Sequence, residues 1–276
     1  MKWDILHRTR YRYASPVKQS FNEVRLKPLS NPEQTLNTFL LKVLPATRLS
    51  HYTDFNLNVV HHFEITEPHT ELQVESKLQI TTHPRPLLEP NATPWPLARI
   101  GEALPGTRAH EFMGASRFVD DSPETWRLAV EATQGQTDTW QASLAIMRFV
   151  KEHLTYVTAS TSVHTHIREV LKDKRGVCQD FAHVMIGLCR AMKIPALYVS
   201  GYLATEEASA THAWIEVYIP GIGWRALDPT HNRQTDDQYV KIAVGRDYAD
   251  VAPVAGTYIG TTERKLEVEV KIEKAQ

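Results

Sequence analysis

Gly176-Val177-Cys178-Gln179-Asp180-Phe181-Ala182-His183 constrains this chain more than any other stretch. Cys178 stands where a loop containing Lys172, Lys174, Arg175 and Gly176 turns into an apolar-periodic run. Phe181, Ala182, Met185, Ile186, Cys189 and Met192 recur at spacings of three and four, one face of a helix. Pro195 ends that helix, since its ring clashes with the preceding turn and offers no N–H. A thiol in a helix's first turn meets free N–H groups and the positive end of the dipole. Both favour the thiolate, the nucleophilic form.

Two later segments carry what a thiolate needs. Thr211 to Tyr218 alternates like a strand and begins with His212. After the turn-forming Pro220-Gly221-Ile222-Gly223, a second strand, Trp224 to Leu227, delivers Asp228 just before Pro229. Strands joined by so short a turn are expected to be antiparallel neighbours, with His212 and Asp228 side by side at one end. A carboxylate-held imidazole facing a helix-terminal thiol is a nucleophile, a base and an orienter, in the chain order Cys178, His212, Asp228.

The tracts Gly176 to Ala182, Ser200-Gly201-Tyr202-Leu203, His212 to Glu216 and Gly223 to Thr230 resemble the core of bacterial transglutaminase-like proteins. Gly245 to Val251 and Gly256 to Gly260 are similar to that family's usual continuation, so the resemblance covers roughly residues 120 to 262. It implies an α+β protein with a papain-like core, helices against an antiparallel sheet, and a Cys-His-Asp triad. A β-rich segment before the core is also typical of the family. Its members include peptidases, amidases, cross-linking transferases and forms without activity, so fold and triad transfer more safely than reaction.

The chain's 276 residues suit one large or two ordinary domains. Residues 1–85 read as an N-terminal β-sandwich: alternating segments at 3–13, 22–28, 35–44, 58–66 and 71–82 are punctuated by turn residues. Prolines then crowd His83 to Pro96, marking 86–119 as an extended linker and lead-in. The core is expected at 120–276. Its first helix starts at Ser122-Pro123-Glu124, with a cap, a proline at the first position and an acid. A second runs from about Thr137-Asp138 to Leu154, and a short one from His166 to Lys172 with Thr165 as cap. Further strands are expected at 196–202, 239–244 and 257–259, a polar loop at 204–210, and a half-wet terminal strand at 266–272.

Formal net charge is −1 with no basic block, which leaves no electrostatic footprint for nucleic acid or an anionic membrane. No apolar run reaches the ~18–20 residues of a membrane span, and charges interrupt the N-terminus where a signal peptide needs apolar residues. A cytoplasmic setting is expected, where a reactive thiol stays reduced. Cys189 reads as inert core, Asp180 as a capping acid and His183 as a packed or hydrogen-bonded residue. The histidines at 61, 62, 69, 164 and 166 lack zinc-site spacing, so neither metal nor cofactor is expected.

For the oxyanion, the backbone N–H of Cys178 is one donor. Papain-like peptidases add a glutamine just before the cysteine, and 172–177 has none. Tyr156, Gln179 and the Trp140 indole are the weaker candidates for a second donor. The expected function is thiol-dependent acyl transfer on a peptide or amide substrate, with hydrolysis ahead of amine transfer because nothing specifies an amine site. A catalytically silent module that binds a peptide or partner is the alternative.

Overall fold

The computed structural model describes residues 1–158, 160–204, 211–261 and 263–275. The two strands expected at 3–13 and 22–28 are one, β1 (Lys2–Lys27), because its hydrogen bonds change partners instead of stopping. Register shifts between Arg12 and Phe21, with Gln19 at φ 49°, absorb Pro16 and bend the strand. β2 (Gln34–Leu44), β3 (Ser50–Thr53), β4 (Val59–Ile65) and β5 (His69–Thr82) complete the sheet path β2-β5-β1-β4-β3. β3 was not foreseen: it is a wholly exposed edge strand without apolar alternation. The expected sandwich is therefore one sheet curled on itself. Its halves meet over Val24, Phe63, Ile65, Leu72 and Val74.

The core begins with α1 (Pro123–Ala132), α2 (Thr139–His153), β6 (Thr155–Tyr156), α3 (Ile167–Asp173) and β7 (Arg175–Gly176). Ser122 Oγ accepts from Thr125 N, and Asp138 caps α2 by accepting from the amides of Trp140 and Gln141. His166, not Thr165, caps α3, because the Thr165 hydroxyl is already taken by the Ser162 amide. The helix carrying Cys178 is α4 (Cys178–Ala191). It packs on an antiparallel sheet formed by β8 (Ala196–Leu203), β9 (Thr211–Ile219), β10 (Gly223–Asp228), β11 (Arg233–Gln234) and β12 (Tyr239–Gly245). The strand order is β11-β10-β9-β8-β12. The polar loop expected between β8 and β9 falls, for 205–210, outside the described residues.

After α5 (Tyr248–Val251), β13 (Val254–Ile259) and β14 (Arg264–Lys274) leave the core and pair antiparallel with β1. Strands read from the sequence as part of 120–276 thus complete the N-terminal sheet. Alternation at 266–272 announces a half-buried strand but cannot name its partner. The segment 86–119 is also more than a spacer. Two 3-10 turns, Leu97–Ala103 and Arg108–Phe112, bury Ile100, Ala109 and Phe112.

Side-chain amides from the N-terminal sheet close the free edge of β12. Gln34 Nε2 donates to Lys241 O at 2.8 Å, and its Oε1 accepts from Lys241 N. Asn58 does the same at Val244, with both bonds 2.8 Å. Each amide copies the donor and acceptor of a neighbouring strand, so the edge is satisfied without one. Trp3, Ile5, Leu78 and Ile80 share one buried cluster with α4 and β9, which welds the sheet to the core. Among the described residues, no helix is long and apolar enough to cross a membrane.

Candidate active site

Local rules set the start of α4. Asp180 Oδ2 reaches back to accept from the Val177 amide at 2.8 Å and from Thr161 Oγ1 at 2.6 Å, capping an end that Val177 cannot cap. That reach requires glycine at 176, where a Cβ would fall 2.5 Å from Asp180 Cβ. Cys178 is the first helical residue and is half-buried. Its amide lies ahead of the helical ladder and has no intrahelical acceptor.

β9 brings in His212 beside it. Trp214, two residues on and on the same face of the strand, packs next to the imidazole at 6.1 Å between ring centres. Gly201 on β8 makes room for this indole: a Cβ there would sit 2.5 Å from Trp214 Cη2. His212 Nε2 lies 2.8 Å from Asp228 Oδ2, which leaves Nδ1 for the thiol.

Asp228 is fully buried and fully occupied. Oδ1 accepts from the amides of Thr230 (2.8 Å) and His231 (3.3 Å). Oδ2 accepts from Tyr239 Oη and faces His231 Nδ1, each at 2.7 Å, besides His212. Burial alone would raise this carboxyl's pKa. Hydrogen bonds from His212 and His231, the imidazolium charge and the Tyr239 hydroxyl outweigh it and hold the group far below the usual carboxylate range. Burial likewise opposes a charged His212, but the hydrogen bonds to Asp228 and Cys178 raise its pKa to about 9. The site therefore favours a protonated imidazole next to the sulfur.

The structure thus brings Cys178, His212 and Asp228 together as expected and adds two groups that the sequence reading missed. His231 follows Asp228 by three residues, so an Asp-x-x-His turn was a usable signal. Tyr239 had none: it comes from β12, separated from β10 by two strands of the sheet. His212, Asp228 and His231 also offer ligand atoms within 4.8 Å of one another, close enough to hold a divalent cation. Here those atoms hydrogen-bond each other instead.

The oxyanion candidates separate clearly. The Trp140 indole is buried and donates to Glu89 O at 3.0 Å, so it is spent. Gln179 turns away, its Nε2 reaching Val163 O at 3.2 Å. Tyr156 pairs with Gly176 across β6 and β7 and is half-exposed, near enough to Cys178 and Asp180 to feel their charges. His183 is fully buried, accepts from Tyr248 N and stacks on Phe118, 5.6 Å between ring centres. Burial pushes its pKa down to about 3, and pushes the Cys189 thiol up.

Residues 127–229 match the transglutaminase-like superfamily, and residues 3–81 match the bacterial transglutaminase-like N-terminal region. An uncharacterized protein of Mycobacterium leprae is 35% identical over 278 residues, covering 97% of both chains. A protein-glutamine gamma-glutamyltransferase of Pseudomonas aeruginosa is 30% identical over 123 residues, 40% of this chain and 18% of its own. A structure from Cytophaga hutchinsonii described as a "Putative Cysteine Protease" superposes on 100% of this chain and 91% of its own. Its TM-score of 0.82 at 24% identity is a likeness of fold. With both regions matched and a relative alike along nearly its whole length, this chain belongs to the transglutaminase-like superfamily.

Proposed function

We propose that this protein is a thiol-dependent acyl-transfer enzyme acting on amide bonds, with Cys178, His212 and Asp228 as its triad. The thiolate attacks the amide carbonyl, forming an S–C bond, and His212 Nδ1 protonates the departing amine as the C–N bond breaks. Asp228 holds the imidazolium and fixes the ring. Water then attacks the thioester, giving its proton to His212. The C–S bond breaks, releasing a carboxylic acid and restoring the thiolate–imidazolium pair. The backbone N–H of Cys178, with the Tyr156 hydroxyl as second donor, receives the oxyanion.

The observation that carries this reading is the bond from His212 Nε2 to a fully buried carboxylate, which leaves the other ring nitrogen for a helix-terminal sulfur. A silent binding module has no need of so costly a buried charge. Amine transfer is the second reading, favoured by the likeness to the Pseudomonas aeruginosa protein-glutamine gamma-glutamyltransferase. Parallel assays of fluorescent-amine incorporation, ammonia release and peptide cleavage separate these readings. Hydrolysis is expected to dominate. Robust amine incorporation with little hydrolysis would reverse that order, and no thioester on Cys178 with any amide would leave only the binding module. A Tyr156→Phe variant should lower kcat by about tenfold or more with KM little changed.

A further inference from the structure

Away from the triad, a cleft of about 320 Å³ opens where the N-terminal sheet meets the core. One wall carries Tyr11, Tyr258 and Arg264, and the other Arg117, Phe118 and Val163. The Arg264 guanidinium lies 5.4 Å from the Tyr11 ring centre and 5.9 Å from that of Tyr258. Arg117 lies 5.4 Å from the Phe118 ring centre. These rings hold the guanidiniums in place without neutralising them.

Among the described residues, no carboxylate lines the cleft and none has an oxygen within 4.0 Å of either arginine's guanidinium. Nearby sheet arginines behave otherwise: Arg8, Arg10, Arg12 and Arg25 are all ion-paired. The cleft borders the helix that begins with the candidate nucleophile. Val163 O accepts the side chain of Gln179, the residue after Cys178, and Phe118 stacks on His183 of the same helix.

We propose that this cleft is a specificity subsite that takes an acidic, aromatic-containing stretch of a peptide, setting its carboxylates against Arg117 and Arg264. The aromatic walls supply apolar contact, and each guanidinium offers a planar fork to a carboxylate. That the peptide is a substrate rests on the acyl-transfer reading above; the binding itself does not need the thiol.

The test therefore uses the Cys178→Ala protein, which turns nothing over. Fluorescein-labelled Ala-Glu-Phe-Glu-Ala and its counterpart with both Glu replaced by Gln are titrated by fluorescence anisotropy, at about 0.05 M and about 0.5 M salt. The acidic peptide is expected to bind about tenfold tighter at low salt, as two partly exposed ion pairs allow. High salt, or Arg117→Ala with Arg264→Ala, should erase that advantage. Equal affinity for the two peptides, undetectable binding of both, or an advantage that survives the double substitution would overturn the proposal. Iodoacetamide labelling of Cys178 in the unaltered protein is read separately: an inert thiol would sink the enzymatic reading while leaving a peptide preference intact.

Discussion

Replacing Asp228 by Asn tests the link on which the chemistry depends. The substitution keeps shape and volume but removes the charge that the His212 ring faces at 2.8 Å. Raising the imidazole from its ordinary 6.5 to about 9 is worth about 3 kcal/mol at ~1.36 kcal/mol per pH unit. His212 is only 9% exposed, so solvent screens little of this. At pH 8, a pKa of about 9 leaves roughly nine-tenths of the rings protonated, and one of 6.5 leaves roughly 3%. The thiolate–imidazolium pair should accordingly fall about thirtyfold at that pH. Alkylation by iodoacetamide, followed by mass spectrometry at Cys178 from pH 5 to 10, reads this directly, with buried Cys189 as an unreactive control. Unaltered protein should pass through its upper transition near pH 9. In Asp228→Asn that transition should move down by two pH units or more, since burial now acts unopposed. An upper transition that stays near 9 after the substitution would refute the claim that Asp228 holds the imidazolium.

The same pair shapes folding stability. His212, raised when folded, contributes fully below about 6.5 and loses its contribution as pH rises through about 9; Asp228, depressed when folded, contributes above about 3.9 and loses its contribution as pH falls. Urea unfolding across pH should show both declines, and Asp228→Asn should flatten them. Gly176→Ala drives a methyl to within 2.5 Å of Asp180 Cβ and should cost about 1–3 kcal/mol, read as a lowered Tm together with slower Cys178 labelling. Tyr239→Phe removes a hydroxyl 2.7 Å from Asp228 Oδ2, leaving a buried charge one donor short, and should cost about 1–3 kcal/mol in urea unfolding. EDTA should leave alkylation at Cys178 unchanged, because His212, Asp228 and His231 bond to one another. A fall in rate that zinc restores would show a cation there.

Much of the candidate site was legible along the chain because its rules are local. A cysteine after Gly176 at the head of an apolar-periodic run must sit at a helix tip, and a short Gly-rich turn must bring the segments holding His212 and Asp228 together. Short-range hydrogen bonding likewise announced the cap at Ser122. What stayed hidden involves partners distant in sequence. Tyr239 reaches Asp228 only because β8 and β9 lie between their strands, and β14 belongs to the first sheet only because β1 has an edge free for it. Gln34 and Asn58 read as ordinary polar residues until β12 presents its bare edge to them. Periodicity records which face of a segment is buried, whereas its neighbours are chosen by closure of the whole chain. The sequence by itself thus determined that Cys178 stands at the tip of a helix; tertiary structure alone decided how the carboxylate beside His212 is kept charged and how the arginine-lined cleft is assembled.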